Sequence, residues 1–216
     1  MKKMVQRFFY MLLVFLLLLS LNSCLVTLYP IFHERDVEYN DQLIGLWKCT
    51  DKAKNISFME FSAITNEKKM ELPQGVREIF DKGYFVSLMN NAGQINTQYF
   101  VFLAKIGDNN YLDYYPAEMP AQKNVDKIYK EHCIEVHSNY KCDLIDKDHF
   151  EMKLFDQDFV DKLISSYKIN IRHEIIGKRN LITASTDDLQ KFIIQYSNNP
   201  NAFGANVIYC TRIIYN

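Results

Sequence analysis

The apolar and polar residues of this chain follow a strand pattern in the middle and a helix pattern near the end. Between residues 43 and 155, segments rich in Phe, Tyr, Ile and Val are separated by candidate turns such as Asn90-Asn91-Ala92-Gly93 and His137-Ser138-Asn139. Residues 149–155 alternate apolar and polar side chains, as a strand with one face in solvent does. The predicted strands are 43–50, 56–64, 68–72, 83–89, 98–106, 111–115, 130–136, 141–145 and 149–155.

After residue 155 the apolar residues recur with a helical period. Asp156 is placed to cap a first helix, and Ser185 and Asp188 have the spacing of a capping box before a second helix over 186–197. Short strands are predicted at 181–184 and 207–214. The apolar stripes are Phe159, Val160, Leu163 and Ile164 in the first helix, and Leu189, Phe192, Ile193 and Tyr196 in the second.

A meander of many strands removes its exposed edges by closing on itself. The pattern therefore predicts a mainly β fold, an antiparallel up-and-down barrel of about eight strands, with the two late amphipathic α-helices packed outside. The interior of a barrel of this size holds either side chains or one small ligand.

The first 24 residues have the organisation of a secretory signal. A basic start with Lys2, Lys3 and Arg7 precedes an apolar run over residues 8–19 and the sequence Leu21-Asn22-Ser23-Cys24. An apolar run of this length rises about 18 Å as a helix, too short for a hydrocarbon core of roughly 30 Å. The sequence thus predicts a signal peptide over 1–23, a tether over 24–42 and a single domain over 43–216.

Leu21-Asn22-Ser23-Cys24 resembles a bacterial lipobox, at which lipoprotein signal peptides are cut and the cysteine is acylated. The resemblance implies that Cys24 carries acyl chains such as palmitate, which anchor the mature protein in a membrane. In bacterial lipoproteins, an Asp directly after the acylated cysteine retains the protein in the inner membrane. This chain has Leu25 at that position, so the resemblance implies that the protein is anchored in the outer membrane and faces the periplasm. The alternative is a plain signal peptide with Cys24 as an ordinary thiol. We expect the apolar tether to dock on the domain rather than lie on the lipid surface.

Composition and charge narrow the possible partners. The chain has 216 residues with 25 basic and 26 acidic side chains, and its net charge of −1 becomes −4 without the three cations of residues 1–23. This balance gives no electrostatic reason to expect a nucleic-acid partner. A hydrophobic content of 48% is that of a folded domain.

Several short sequences together resemble a family of uncharacterised bacterial lipocalin-like lipoproteins. Gly45-Leu46-Trp47 is similar to the Gly-x-Trp signature of lipocalins, in which the tryptophan plugs the closed end of the barrel and an arginine lies against it. The resemblance implies a barrel with late helices and no named activity. The further landmarks are Leu28-Tyr29-Pro30, the residues 41–47 around the signature, 111–116 and 181–190.

Four cysteines remain after Cys24, and an exported protein can pair them as disulfides. Cys49 lies on the first strand and Cys210 on the last, which barrel closure makes neighbours. In an antiparallel pair of strands, the numbers of two facing residues have a constant sum. If Cys49 faces Cys210, Trp47 therefore faces Arg212, and all four side chains lie on the same face of the sheet. Barrel closure would then involve Gly45, Trp47 and Arg212, with Cys133 and Cys142 as the second possible disulfide. The alternative is four reduced thiols.

The candidate ligand-binding residues are Asp113, Tyr114 and Tyr115, a carboxylate among aromatic side chains. The alternative is that Asp113 bonds to a backbone amide or an arginine at the barrel rim. His132, Cys133, His137 and Cys142 form the one cluster with metal-ligand chemistry, but the first two point to opposite faces of a strand, so no metal is predicted. No nucleophile motif or phosphate-binding loop is present in the sequence, so no cofactor or catalytic residue is predicted.

The sequence favours two non-enzymatic functions over an enzymatic one. In the first, a membrane-anchored envelope lipoprotein binds or carries a small apolar ligand in its barrel. In the second, the barrel is filled by side chains and the protein is a non-catalytic interaction or maintenance protein whose partner is another envelope protein. A cavity of roughly 300 Å³ or more would favour the ligand, and a packed interior the interaction protein.

Overall fold

The computed structural model describes residues 25–72, 74–117, 134–177, 179–203 and 206–214. The predicted signal peptide and Cys24 lie outside these residues. Eleven strands form one sheet. They are β1 (Val26–Thr27), β2 (Gly45–Asp51), β3 (Ile56–Ala63), β4 (Gly83–Met89), β5 (Ile95–Ile106), β6 (Asn109–Pro116), β7 (His137–Asp146), β8 (His149–Leu154), β9 (His173–Ile176), β10 (Arg179–Ile182) and β11 (Val207–Arg212).

Eight of these strands close into an antiparallel barrel, as the sequence predicts. Strands β2 to β8 follow one another up and down around the ring, and β11 pairs with both β8 and β2 to complete it. The remaining three strands form an extension, in which β1 pairs with the start of β7 and with β10, and β9 forms the outer edge. The order is that of a lipocalin-like barrel.

The barrel wall separates two apolar cores, one inside and one outside. On β5, Val101 and Leu103 point into the barrel, while Phe100 and Phe102 point out. This strand is apolar on both faces because its outer face is also covered. The outer core contains Ile31, Phe32, Phe100, Phe102, Tyr111, Phe155, Val160, Phe192 and Phe203.

The two predicted late helices cover part of the outer face. Helices α1 (Asn66–Lys69), α2 (Gln157–Ser165), α3 (Thr186–Tyr196) and α4 (Pro200–Phe203) occur in chain order. Asp156 caps α2 by accepting a hydrogen bond from the Phe159 amide at 2.9 Å, and Ser185 caps α3 through the Asp188 amide at 3.3 Å. The buried face of α3 contains Leu189, Phe192 and Ile193, while Tyr196 is only half-buried.

The N-terminal segment, residues 25–42, packs on the barrel, as expected of an apolar tether. Its Ile31, Phe32 and Val37 side chains are buried in the outer core or against it. Gln190 of α3 donates hydrogen bonds to Ile31 O at 2.9 Å and to Asp36 Oδ2 at 2.7 Å. The segment therefore packs on the barrel and is not a free linker.

Three local predictions are wrong. Residues 68–72 are not a strand, because Thr65 caps the short helix α1 by accepting from the Lys68 amide at 3.3 Å. Residues 137–139 are not a turn but the start of β7, whose polar side chains find partners under the N-terminal segment. Residues 134–136 are not in a strand, and 130–133 lie outside the described residues. Strand β9 was not predicted.

Candidate functional site

Trp47 closes one end of the barrel. Its side chain is buried and packs edge-on against Phe150, with ring centroids 4.7 Å apart. Its Nε1 donates a hydrogen bond to Leu43 O at 2.8 Å, which satisfies its one polar group. Since Leu43 ends a 3₁₀ turn over Asp41–Leu43, the tryptophan also fixes how the chain enters β2.

Arg212 covers the same end from the last strand. It faces Trp47 in the β2–β11 register, and its guanidinium carbon lies 4.2 Å from the centre of the indole ring. The guanidinium donates to Ile44 O at 2.8 Å and to Lys147 O at 2.9 Å, and also to Gln42 O. One side chain thus connects the entry of β2, the β7–β8 turn and the end of β11.

Gly45 is required by this closure for two reasons. Its φ of +129° is a backbone conformation that L side chains rarely adopt. A Cβ at this position would lie 2.8 Å from Arg212 Nη1, so the guanidinium would have to move from its place beside Ile44 O. The glycine at position 45 is therefore explained by its positive φ and by the approach of Arg212.

Cys49 and Cys210 face each other across β2 and β11 and form a disulfide, with Cα atoms 4.2 Å apart. This is the register that the sequence analysis predicts from the facing pairs. The bond joins the first and last strands of the barrel, at a sequence separation of 161 residues. Both side chains lie in the inner core.

Cys142 does not form the second predicted disulfide. Cys142 is a free buried thiol on β7, inside the barrel, and burial raises its pKa to about 12. A thiol with such a pKa is neutral at physiological pH and a poor nucleophile or metal ligand. Cys133 and His132 lie outside the described residues. Among the residues that the structure describes, no group of three or more His, Cys, Asp or Glu could hold a metal ion.

Large side chains fill the barrel between its closed end and its mouth. Phe61 contacts both Tyr84 and Phe150 edge-on, at centroid distances of 5.8 and 6.2 Å. Tyr84 reaches out to bond the backbone of Asn40, so its hydroxyl is satisfied. The inner core contains Leu43, Trp47, Met59, Phe61, Tyr84, Val86, Val101, Leu103, Leu112, Phe150 and Met152.

A cavity of about 130 Å³ remains at the mouth, the end opposite Trp47. Its floor contains Tyr114, whose hydroxyl lies 3.4 Å from Met152 Sδ and 3.7 Å from Met59 Sδ. Tyr99 and Tyr140 contact the Tyr114 ring edge-on at 5.6 and 5.1 Å. Burial raises the pKa of Tyr114 well above its ordinary value, so the phenol is neutral. The other lining residues are Ser57, Leu88, Ser138 and Ile208.

Of the three candidate ligand-binding residues, only Tyr114 lines this cavity. Side chains alternate along β6, so Asp113 and Tyr115 point out of the barrel. Asp113 is fully buried beneath the N-terminal segment, where it accepts from the Ile31 amide at 3.0 Å and lies 2.6 Å from His137 Nδ1. Tyr115 donates to Glu135 on the protein surface. The backbone-amide alternative for Asp113 is therefore the observed one.

Asp113, His137 and Asn139 form a polar clamp that holds the N-terminal segment on the barrel. Asn139 faces Asp113 across β6 and β7, and its Nδ2 donates to Thr27 Oγ1 at 3.3 Å. Sequence reasoning considered His137 only as a metal-ligand candidate and placed both residues in a turn. It missed their role in this clamp because the predicted turn divided the strand that carries them. The available signal in the sequence was the alternation of side chains along β6. Asp113 and Tyr114 are consecutive residues of this strand, so they cannot point to the same face of the sheet.

Comparison of the chain with protein-family models, with curated proteins and with solved structures finds no match. The fold is that of a lipocalin-like barrel by its own strand order and closure. The resemblance of its short sequences to a lipoprotein family stays a prediction. In the described part of the chain, no helix is both long and apolar enough to cross a membrane.

Proposed function

We propose that this chain is a lipoprotein of the bacterial cell envelope, anchored in the outer membrane through acylated Cys24 and facing the periplasm. The lipobox-like sequence Leu21-Asn22-Ser23-Cys24 and the residue that follows it support this location. The Cys49–Cys210 disulfide supports export, because such bonds persist in oxidising compartments.

The barrel acts as a non-catalytic interaction or maintenance domain. The observation that carries this proposal is the packed interior, in which aromatic side chains leave about 130 Å³ at the mouth. Ligand pockets for ordinary small molecules measure roughly 300 to 1,000 Å³. A barrel filled in this way is a rigid support for its outer surface, and the expected partner is another envelope protein.

A second candidate function is the binding of a small apolar ligand at the mouth. It is favoured by the cavity's composition, with three tyrosine rings above two methionine sulfur atoms. An apolar cavity of about 150 Å³ can hold a molecule of the size of benzene. This site would therefore accept one ring or the end of an acyl chain.

Native mass spectrometry of the purified mature protein tests the choice between the two functions. A filled barrel predicts the mass of the protein with its N-terminal modification alone. A retained extra mass that disappears in Leu88→Trp, which fills the mouth, would instead establish the ligand-binding function. Ile145→Trp, at an exposed position at the opposite end of β7, is the control substitution and should leave any retained mass in place.

A further inference from the structure

An apolar groove lies on the outside of the barrel, on the extension formed by β1, β9 and β10. It has a volume of about 330 Å³. One wall comes from Ile134 and Val136, which precede β7, and the other from the β9–β10 hairpin. We call it the N-terminal groove, and it is lined by Val26, Ile134, Val136, Ile176, Arg179 and Leu181.

The groove exposes large apolar side chains to solvent. Ile134 is 60% exposed and Ile176 is 53% exposed. These two isoleucines share one concave surface with Val26, Val136 and Leu181, so they form a continuous apolar patch rather than scattered apolar residues. Arg179 borders the groove, and Lys178 precedes Arg179 in the sequence. The strands β9 and β10 contain a single acidic residue, Glu174.

The chain enters the fold beside this groove. Leu25 is the first described residue, its side chain is 2% exposed, and its amide donates to Phe155 O at 3.2 Å. The next residue, Val26, pairs with Leu181 and Ser138 and lines the groove. A trans peptide holds the Cα atom of Cys24 about 3.8 Å from that of Leu25. An acyl anchor on Cys24 is therefore attached two residues before Val26, the first groove-lining residue.

We propose that the N-terminal groove and the β9–β10 hairpin lie against the acyl region of the membrane that holds the anchor. The inference rests on the acylation of Cys24 in the proposed function. With residues 25–42 docked on the barrel, the anchor has no free linker, so some face of the domain must touch the lipid. The groove is the apolar face next to the attachment point, and the Arg179 guanidinium on its border suits phospholipid headgroups.

This contact also orients the barrel on the membrane. Val26 pairs with Ser138, which lines the mouth cavity, so the mouth lies at the same end as the groove. The closed end with Trp47 and Arg212 then points away from the lipid. Partners of the barrel would approach its closed end and its sides, while the mouth cavity stays near the acyl chains.

Quenching of tryptophan fluorescence by brominated lipid tests the contact. Acylated Ile176→Trp protein is reconstituted in vesicles of phosphatidylcholine with bromine on the acyl chains, and Ile134→Trp provides a second probe on the other wall. Ile145→Trp is the matched control, since Ile145 is 59% exposed but lies seven residues beyond Ser138, about 23 Å along β7. The native Trp47 is buried and contributes the same background to all three.

We expect the probes at residues 176 and 134 to lose most of their emission relative to non-brominated vesicles, and the control to keep it. The mass of the N-terminal peptide is measured on the same samples. Acylated protein whose probes at 176 and 134 are quenched no more than the control would overturn the membrane contact and leave the anchor intact. An unmodified Cys24 would overturn the anchor and the contact together.

Discussion

At the residue scale, a few side chains at the closed end determine how the barrel is sealed. Arg212 combines a stacking contact with Trp47 and hydrogen bonds to three backbone carbonyls in two separate segments of the chain. A planar guanidinium can make all these contacts at once, whereas an ammonium group cannot. Because Trp47 is the one tryptophan of the chain, its fluorescence reports on this end directly.

Replacing Arg212 with Lys should therefore destabilise the protein although it keeps the charge. We expect a loss of about 2–4 kcal/mol, from the cation–π contact and the hydrogen bonds that Lys cannot reproduce. Urea unfolding followed by Trp47 fluorescence measures it. Arg179→Lys, at an exposed arginine, is the control and should change the stability by no more than about 0.5 kcal/mol. Equal stability of the two variants would contradict the role given to Arg212.

Gly45→Ala should also destabilise the barrel. The added Cβ combines an unfavourable positive φ with a clash against Arg212 Nη1, for which we expect a loss of about 1–3 kcal/mol. Gly75→Ala is the matched control, because a Cβ there meets no atom within 4 Å. The same urea unfolding series compares the two, and a Gly45→Ala protein as stable as Gly75→Ala would show that neither constraint operates.

At the element scale, the sequence predicts an element where its apolar side chains follow a helical period or form a strand-like run. The α3 stripe and its Ser185 cap are visible in the sequence because the helix has a single buried face. The start of β7 was missed, since His137 and Asn139 are buried through polar partners on β6 and β1. The 68–72 strand was wrong because a local cap at Thr65 prevailed over weak strand propensity. Contacts between distant segments cannot be derived from a local pattern.

The second late helix provides a test of the outer core. Phe192 is buried and contacts Phe155 and Tyr196 at ring-centroid distances of 5.4 and 5.1 Å. Phe192→Ala should cost about 3–5 kcal/mol of folding free energy. Ile194→Ala on the same helix, at a side chain that is 51% exposed, should cost much less. Thermal unfolding of the two variants measures the difference, and similar melting temperatures would contradict the assigned face.

At the scale of the whole molecule, the barrel joins its first strand β2 to its last strand β11, and the N-terminal segment packs on the barrel. The facing pairs on β2 and β11 follow from residue numbers once closure is assumed, so this part of the architecture could be predicted. The polar clamp of Asp113, His137 and Asn139 could not, because it depends on how the N-terminal segment crosses β6 and β7.

Removal of the barrel disulfide tests closure at this scale. The double variant Cys49→Ala, Cys210→Ala should lose about 2–5 kcal/mol, because the bond closes a loop that contains most of the domain. Chemical unfolding of parent and variant, each with and without reductant, measures the loss. Reductant should weaken the parent and leave the variant unchanged. A variant as stable as the oxidised parent would contradict a stabilising bond between the two strands.

The central claim is that the protein is held to a membrane by acylated Cys24 at the entry of the folded domain. The most direct measurement is the mass of the N-terminal tryptic peptide of protein extracted from membranes. We expect a peptide over residues 24–35 that carries the mass of acyl chains on Cys24 and ends at Arg35. A peptide that extends from residue 8 to residue 35, or a 24–35 peptide of unmodified mass, would contradict it.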